Sequence, residues 1–121
     1  MRDIVLITGG GRGIGAATAR LAAARGYDVV INYKSNAETA AVVVRDIEQA
    51  GGRGLAVKGD MAKEEDVEAL FKAVDSFGPL KHFVYNSGVT GKNSRFESVS
   101  TQTLRDNVDI NLMGAFFCAR P

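Results

Sequence analysis

The stretch that decides the fold is Thr8–Gly15, with the sequence TGGGRGIG, which directly follows the apolar run Ile4–Ile7. The run predicts a buried strand, and the glycines predict a tight turn in which a helix begins. Glycine is needed there because such a turn takes positive φ angles and because side chains would keep a phosphate away from the backbone. The first N–H groups of the helix suit the pyrophosphate of a dinucleotide. We therefore predict a dinucleotide-binding turn, since strand, turn and helix occur in the order that the motif requires.

The composition is typical of one soluble globular domain: 121 residues, 45% hydrophobic and 24% charged. The net charge of +1, from 15 basic and 14 acidic residues, argues against binding to nucleic acid or an anionic membrane. No apolar run reaches the roughly 18 residues of a membrane span. The chain starts without a signal-like apolar segment, and the single Cys118 is expected to be a small core residue, so we expect a cytoplasmic protein.

Strand-like and helix-like segments alternate along the chain. Strands are predicted over 4–8, 28–33, 54–58 and 80–86. Helices are predicted from about 13 to 25 and from about 36 to 51. A third helix follows residues 59–61 and ends at 77, and a fourth begins at the N-cap Ser100. On the first helix, Ile14, Ala17 and Leu21 are expected to share one apolar face, and the alanines are expected to lower the bulk of the helix against the sheet. Alternation of this kind predicts a doubly wound parallel α/β sheet.

The polar residues of this pattern follow the strands. They are Thr8–Gly15 after the first strand, Asn32–Asn36 after the second, Asp60 after the third and Asn86–Gly88 after the fourth. In an open parallel sheet the ligand binds outside the carboxyl ends of the strands. The sequence therefore predicts one ligand site formed by all four strand ends.

The end of the second strand indicates which dinucleotide is bound. An acidic residue there would hold a ribose 2′-hydroxyl, but the chain has Asn32, Tyr33 and Lys34 at this point, and Arg12 adds a cation in the first turn. Both cations favour a 2′-phosphate and hence NADP(H) over NAD(H). The alternative is that Lys34 and Arg12 are solvated surface cations, as most such residues are.

These motifs together make the chain resemble the short-chain dehydrogenase/reductase family over essentially its whole length. The matching elements are the turn Gly9-x-x-x-Gly13-x-Gly15, Asp60-Met61 for the adenine, Asn86-Ser87-Gly88 and the helix asparagine Asn111 of the catalytic tetrad. The basic residue before Gly13 and the stretch 29–36 are most similar to NADPH-dependent 3-oxoacyl-(acyl carrier protein) reductases. The resemblance thus implies a Rossmann-like sheet in the strand order 3-2-1-4 and a function connected with fatty acid biosynthesis.

Three positions depart from the family pattern. Ser87 replaces an alanine, Tyr85 stands where the family often has another asparagine, and His82 lies in a strand start that is commonly acidic. Ser87 and Tyr85 lie close to the expected cofactor path. His82 is the only histidine, but it begins its strand, so we expect it to lie far from the site and to have a structural or surface role.

The resemblance implies an NADP(H)-dependent oxidoreductase that interconverts a carbonyl and an alcohol on a small-molecule or acyl-carrier-bound substrate. Asn111 is the catalytic candidate, and no metal is expected. The candidate cofactor residues lie in the turn and at the strand ends: Gly9, Gly11, Arg12, Gly13, Ile14, Gly15, Asn32, Tyr33, Lys34, Asp60, Met61, Asn86, Ser87 and Gly88.

The family's catalytic serine and Tyr-x-x-x-Lys element have no counterpart in residues 1–121, because none of Tyr27, Tyr33 and Tyr85 has a lysine four residues later. We therefore expect residues 1–121 to be the N-terminal part of a single dinucleotide-binding domain whose C-terminal strands are missing, and to be inactive alone. The resemblance implies a dimer or tetramer for the full-length enzyme. A non-catalytic NADP(H)-binding module and an inactive fragment remain the alternatives.

Overall fold

A computed structural model describes residues 2–88 and 100–119. Strands and helices alternate as β1 Ile4–Ile7, α1 Gly13–Ala24, β2 Asp28–Tyr33, α2 Ala37–Gln49, β3 Gly54–Lys58, α3 Glu64–Phe77 and β4 Leu80–Val84. After residues 89–99 come α4 Thr101–Val108, a π-helical turn over Asp109–Met113 (the π segment) and α5 Gly114–Ala119. The predicted alternation is confirmed.

The four strands form one parallel sheet in the order β3-β2-β1-β4. This order confirms the predicted doubly wound topology. It places β1 and β2 in the middle, where both faces are covered, so nearly every residue of both strands is buried. β4 lies at the edge and exposes Lys81, His82 and Val84.

The side chains of β1 alternate between two apolar layers. Val5 and Ile7 pack on the side of α1 and α2, whereas Ile4 and Leu6 pack on the side of α3 and α5. Each layer is closed by a helix stripe, for example Val67, Leu70 and Val74 of α3. Helices thus cover both faces of the sheet. Because all strands are parallel, their carboxyl ends lie together at one end of the sheet.

The apolar face predicted for α1 is not its buried face, whereas the expected packing of alanines against the sheet is confirmed. Ile14 is 79% exposed and Leu21 55% exposed, and Ala17 is exposed as well. The buried residues are Gly15, Ala16, Ala19 and Ala23. A face of glycine and alanine lets the helix axis approach the sheet more closely than leucine or isoleucine would, so residue size decided the orientation and hydrophobicity did not.

The C-terminal helical region packs through few residues. Ser100 caps α4 as predicted, because its hydroxyl accepts a hydrogen bond from the backbone N–H of Thr103 at 3.0 Å. Of α4, the π segment and α5, only Gly114 and Cys118 are buried. Cys118 is a core residue, as expected, with its sulfur 3.7 Å from that of Met61.

Candidate functional site

The carboxyl ends of the four strands surround a cleft of about 320 Å³. Its lining comes from the glycine-rich turn, the segments after β2, β3 and β4, and the π segment. The lining residues are Gly9, Gly11, Arg12, Gly13, Asn32, Tyr33, Lys34, Ser35, Asn36, Thr39, Gly59, Asp60, Met61, Asn86, Ser87, Gly88 and Ile110.

Every candidate cofactor residue except Ile14 and Gly15 lines this cleft. Ile14 is highly exposed beside the turn, and Gly15 is buried beneath it. Three lining residues, Gly59, Thr39 and Ile110, were not predicted. Thr39 lies in the first turn of α2, three residues after the N-cap Asn36, and this position next to a predicted strand end could have indicated it. Ile110 lies in the π segment, and no local sequence pattern indicates that this segment reaches the cleft.

The glycine-rich turn is held by its neighbours and leaves its own backbone accessible. Gly9 and Gly13 have φ angles of +63° and +58°, a region that disfavours other residues. A Cβ on Gly15 would collide with the carbonyl oxygen of Gly9 and lie 2.5 Å from Nδ2 of Asn86. Arg12, the N-cap residue of α1, makes no capping hydrogen bond through its side chain, so the first N–H groups of the helix can bind a phosphate at the cleft.

Thr8 and Asn86 join the turn to the segment after β4. The Thr8 hydroxyl oxygen accepts hydrogen bonds from the backbone N–H groups of Asn86 at 2.9 Å and Ser87 at 3.2 Å. Nδ2 of Asn86 donates to the carbonyl oxygen of Gly9 at 3.1 Å. These bonds connect residues 77 to 79 positions apart, so they fix the cleft's shape through tertiary contacts.

Asn32 performs a similar function at the end of β2. Its Nδ2 donates to the carbonyl oxygens of Gly59 at 3.0 Å and Val57 at 3.3 Å, and its Oδ1 accepts from the N–H of Gly9 at 3.4 Å. The side chain is buried. Asn32 therefore joins three strand ends, and its amide is already engaged with protein groups.

A charged pair lies across the mouth of the cleft. Nζ of Lys34 is 3.8 Å from Oδ2 of Asp60, and the Lys34 side chain is 64% exposed. Oδ1 of Asp60 accepts from the N–H of Ala62 at 2.9 Å, and the N–H of Asp60 donates to Asp66 at 2.8 Å. Asp60 is therefore held by its loop, whereas Lys34 can turn toward a ligand because an exposed ion pair holds it weakly.

The π segment forms the remaining wall. The Tyr85 hydroxyl donates to the carbonyl oxygen of Ile110. Asn111 does not line the cleft, but a Cβ on Gly88 would lie 3.1 Å from its Oδ1. Nδ2 of Asn111 donates to Oδ1 of Asn107 at 3.2 Å. The catalytic candidate Asn111 thus follows the lining residue Ile110 in the chain and lies beside the lining residue Gly88 in space.

Two titratable groups near this wall stay protonated at neutral pH. Burial, with smaller effects of Cys118 and Asp60, raises the pKa of Tyr85 to about 12. Burial likewise raises the pKa of the Cys118 thiol to about 11. Neither group supplies a base or a thiolate nucleophile at neutral pH. His82 lies at the other end of the sheet, edge-on to Tyr27 and exposed.

Within residues 2–88 and 100–119, no helix is long and apolar enough to cross a membrane. The same residues contain no group of three or more His, Cys, Asp or Glu side chains arranged to hold a metal ion.

Comparison with known proteins identifies the family. Residues 3–121 match the family model described as short chain dehydrogenase. The chain belongs to this family. It is 42% identical over 113 residues to a 3beta-hydroxysteroid dehydrogenase 1 of Eggerthella lenta, covering 93% of this chain and 43% of the relative. It is 35% identical over 119 residues to a 3-oxoacyl-[acyl-carrier-protein] reductase of Synechocystis, covering 98% of this chain and 48% of the relative.

A solved structure shows the same fold. The crystal structure of an NADH-dependent reductase complexed with NAD matches with a TM-score of 0.89 and 26% identity, covering 98% of this chain and 50% of that chain. The chain thus spans about half the length of the relatives that it matches. The short-chain dehydrogenase family binds a nicotinamide cofactor, and the resemblance drawn from the sequence motifs is confirmed.

Proposed function

We propose that this chain binds NADP(H) for an oxidoreductase that interconverts a carbonyl and an alcohol. The observation that carries the proposal is the cleft itself: a glycine cradle and the uncapped N-terminus of α1 open into the same space as Arg12 and Lys34. The cradle fits a pyrophosphate, and no acidic residue ends β2. The nicotinamide would supply the hydride, and the protein binds and orients it.

Each strand end receives a distinct task in this proposal. The turn after β1 binds the pyrophosphate, and Lys34 with Arg12 binds the 2′-phosphate. Asp60, whose backbone and carboxylate are fixed within its loop, accepts a hydrogen bond from the adenine. Asn111 contributes at the nicotinamide end, where it lies beside Gly88.

A 3-oxoacyl thioester is the substrate class that we propose first. One relative is named as a 3-oxoacyl reductase and another as a 3beta-hydroxysteroid dehydrogenase; both names refer to an oxo or hydroxyl group. The 121 residues contain no Tyr-x-x-x-Lys element. For this reason we propose that they bind the cofactor without turnover, and an NADP(H)-binding module without chemistry of its own is the second candidate.

A titration tests the cofactor assignment. NADPH and NADH are added separately to the wild type, to Lys34→Gln and to the control Lys58→Gln, and binding is followed by nicotinamide fluorescence. Lys58 is an exposed cation at the end of β3 that does not line the cleft. We expect tighter binding of NADPH and a loss of roughly tenfold or more in Lys34→Gln, because a charged hydrogen bond to phosphate is removed.

The NADH affinity should be equal in all three proteins. Equal affinities of the wild type for NADPH and NADH would contradict the assignment of Lys34 and Arg12. Asp60→Ala should weaken both cofactors; unchanged affinity would mean that this carboxylate only shapes its loop. Mixing the 121-residue protein with NADPH and a 3-oxoacyl thioester tests the proposed lack of turnover, which oxidation of NADPH would contradict.

Homo-oligomer formation is a further part of the proposal. Leu104, Val108 and Leu112 recur every four residues through α4 and the π segment and are about half exposed. An apolar helix face of this kind suits contact with a second copy. Sedimentation of the purified protein measures this association.

A further inference from the structure

Tyr85 makes a contact that neither the cofactor turn nor the proposed chemistry explains. It directly follows β4, and its ring packs edge-on against Phe83 with the centroids 6.4 Å apart. From there its hydroxyl reaches the carbonyl oxygen of Ile110, 25 residues later in the chain. The phenol therefore connects the fourth strand end to the π segment.

The acceptor of this bond lies where the helix departs from regular geometry. The helical run passes from α4 through the π segment into α5 without a break in the chain. A π turn is costly and persists only where the surroundings support it, and it often occurs at functional sites. Ile110 lies within this turn, and Asn111 is the next residue. A donor fixed on Ile110 thus restrains the backbone immediately before Asn111.

The other end of the π segment is restrained by the same hydroxyl. Gly114, the first residue of α5, is buried. A Cβ on Gly114 would collide with the Tyr85 hydroxyl and lie 2.7 Å from the carbonyl oxygen of Met61. Glycine is therefore what lets α5 lie against Tyr85 and Met61. The π segment begins near the acceptor of the Tyr85 bond and ends against the phenol itself.

We propose that Tyr85 is a positioning residue whose hydroxyl holds the π segment and thereby sets Ile110 as a wall of the cleft and Asn111 beside Gly88. This inference rests on the proposed function, because the placement of Ile110 and Asn111 affects binding only when the cleft takes a cofactor.

The state of the phenol agrees with a donor role. Burial, with smaller effects of Cys118 and Asp60, raises the pKa of Tyr85 to about 12. The hydroxyl therefore keeps its proton at neutral pH, where it can donate to the carbonyl of Ile110.

A selective labelling scheme tests the proposal on the chain itself. Isoleucine is labelled with ¹³C at the carbonyl and asparagine with ¹⁵N, so that only Ile-Asn pairs give a signal linking carbonyl to amide. The sequence contains two such pairs, Ile31–Asn32 in the sheet and Ile110–Asn111 in the π segment. An Ile110→Val variant assigns the two signals, and the Ile31 signal is an internal control.

The variant is Tyr85→Phe, which keeps the ring against Phe83, and the matched control is Tyr27→Phe, whose ring contacts His82 at the other end of the sheet. In Tyr85→Phe we expect the Ile110 carbonyl and the Asn111 side-chain amide to shift while the Ile31 signal stays. We also expect NADPH affinity to fall about two- to tenfold, the loss of one ordinary hydrogen bond. Tyr27→Phe should change none of these.

Each outcome decides one claim. An Ile110 signal that does not move in Tyr85→Phe overturns the proposal, and so does a moved signal with unchanged NADPH affinity, which would leave the bond a purely structural contact. If the wild type binds no NADPH, the proposed function fails, while the Ile110 signal still reports whether Tyr85 holds the turn. If Tyr85→Phe does not fold, Gly114→Ala supplies the second variant. This substitution displaces the Tyr85 hydroxyl while the phenol is retained, and it must shift the signals of the Ile110 carbonyl and the Asn111 side-chain amide.

Discussion

The two ends of the same sheet are built in opposite ways. At the carboxyl ends, glycines and small polar residues surround an open cleft. At the amino ends, Arg2, Asp28 and Arg53 form an ion cluster, with Nε of Arg2 3.4 Å and Nε of Arg53 3.0 Å from the carboxylate. The Arg53 guanidinium also lies 4.2 Å from the centre of the Phe77 ring. One end is open for a ligand, and the other is closed by its own side chains.

Helix direction explains the difference. α1 begins at the carboxyl end of the sheet, where its N-terminus has no side-chain cap. α1 and α3 end near the amino edge, where Arg2 donates to the carbonyl oxygen of Ala23 at 2.8 Å and Arg53 to that of Phe77 at 3.1 Å. Cations there satisfy helix carbonyls. At the amino ends of the strands, the protein's own arginines supply the positive charge that the helix C-termini favour. At the carboxyl ends, the N-terminus of α1 can receive negative charge from a ligand.

Breaking the closed end should have the largest effect on stability. Burial raises the pKa of Asp28, but hydrogen bonds from Arg53 and the charges of Arg53 and Arg2 outweigh it, so the pKa lies below its ordinary value of 3.8. Asp28→Asn should lower the free energy of unfolding at pH 7 by about 3 kcal/mol, as measured by urea denaturation, because two arginines lose their partner.

Asp46→Asn is the matched control, because Asp46 pairs with Arg20 at 2.7 Å on the surface; its cost should stay under about 1 kcal/mol. The stability from a lowered carboxyl pKa is present above the unfolded value of 3.8 and is lost as the pH falls through the folded value. The gap between wild type and Asp28→Asn should therefore close in acid. A gap that is equally large at pH 3 would contradict the assigned charge interaction.

Crowding the glycine-rich turn at the carboxyl ends should have the next largest effect on stability. Gly15→Ala places a methyl group against the carbonyl of Gly9 and the amide of Asn86, so we expect a loss of about 2 kcal/mol in thermal or urea unfolding. Gly11→Ala is the control, because its methyl group would lie 3.4 Å from Cβ of Tyr33 and should change stability by less than about 1 kcal/mol. Equal effects would mean that the turn is not crowded at Gly15.

The smallest effect separates capping from ligand binding at the open end. Oδ1 of Asn36 accepts a hydrogen bond from the N–H of Thr39 at 3.1 Å, which caps α2 beside the cleft. Asn36→Ala should cost about 1 kcal/mol of stability, whereas Asn36→Asp keeps the cap. The added carboxylate should nevertheless weaken NADPH more than NADH, by charge repulsion with a 2′-phosphate. Equal weakening of both cofactors would remove Asn36 from the phosphate region.

Most of the site could be predicted because its residues follow strands. Each strand of a parallel sheet carries its own C-terminal residues to the same edge, so Gly9, Lys34, Asp60 and Asn86 were expected together before any contact was known. Ile14 and Gly15 are the exceptions among the cofactor candidates, since they lie just beyond the turn where the helix has already rotated them away from the lining.

The sequence by itself determined the alternation of strands and helices and the end of the sheet that holds the cleft, because periodicity and glycine spacing are local signals. The strand order was expected from the family resemblance. Only the tertiary structure decided which face of α1 is buried, since close approach favours alanine and glycine over larger apolar residues. It also decided that Asn32 joins three strand ends and that Tyr85 holds Ile110. Those contacts join residues more than 20 positions apart, and no local pattern specifies which distant carbonyl a buried polar group will reach.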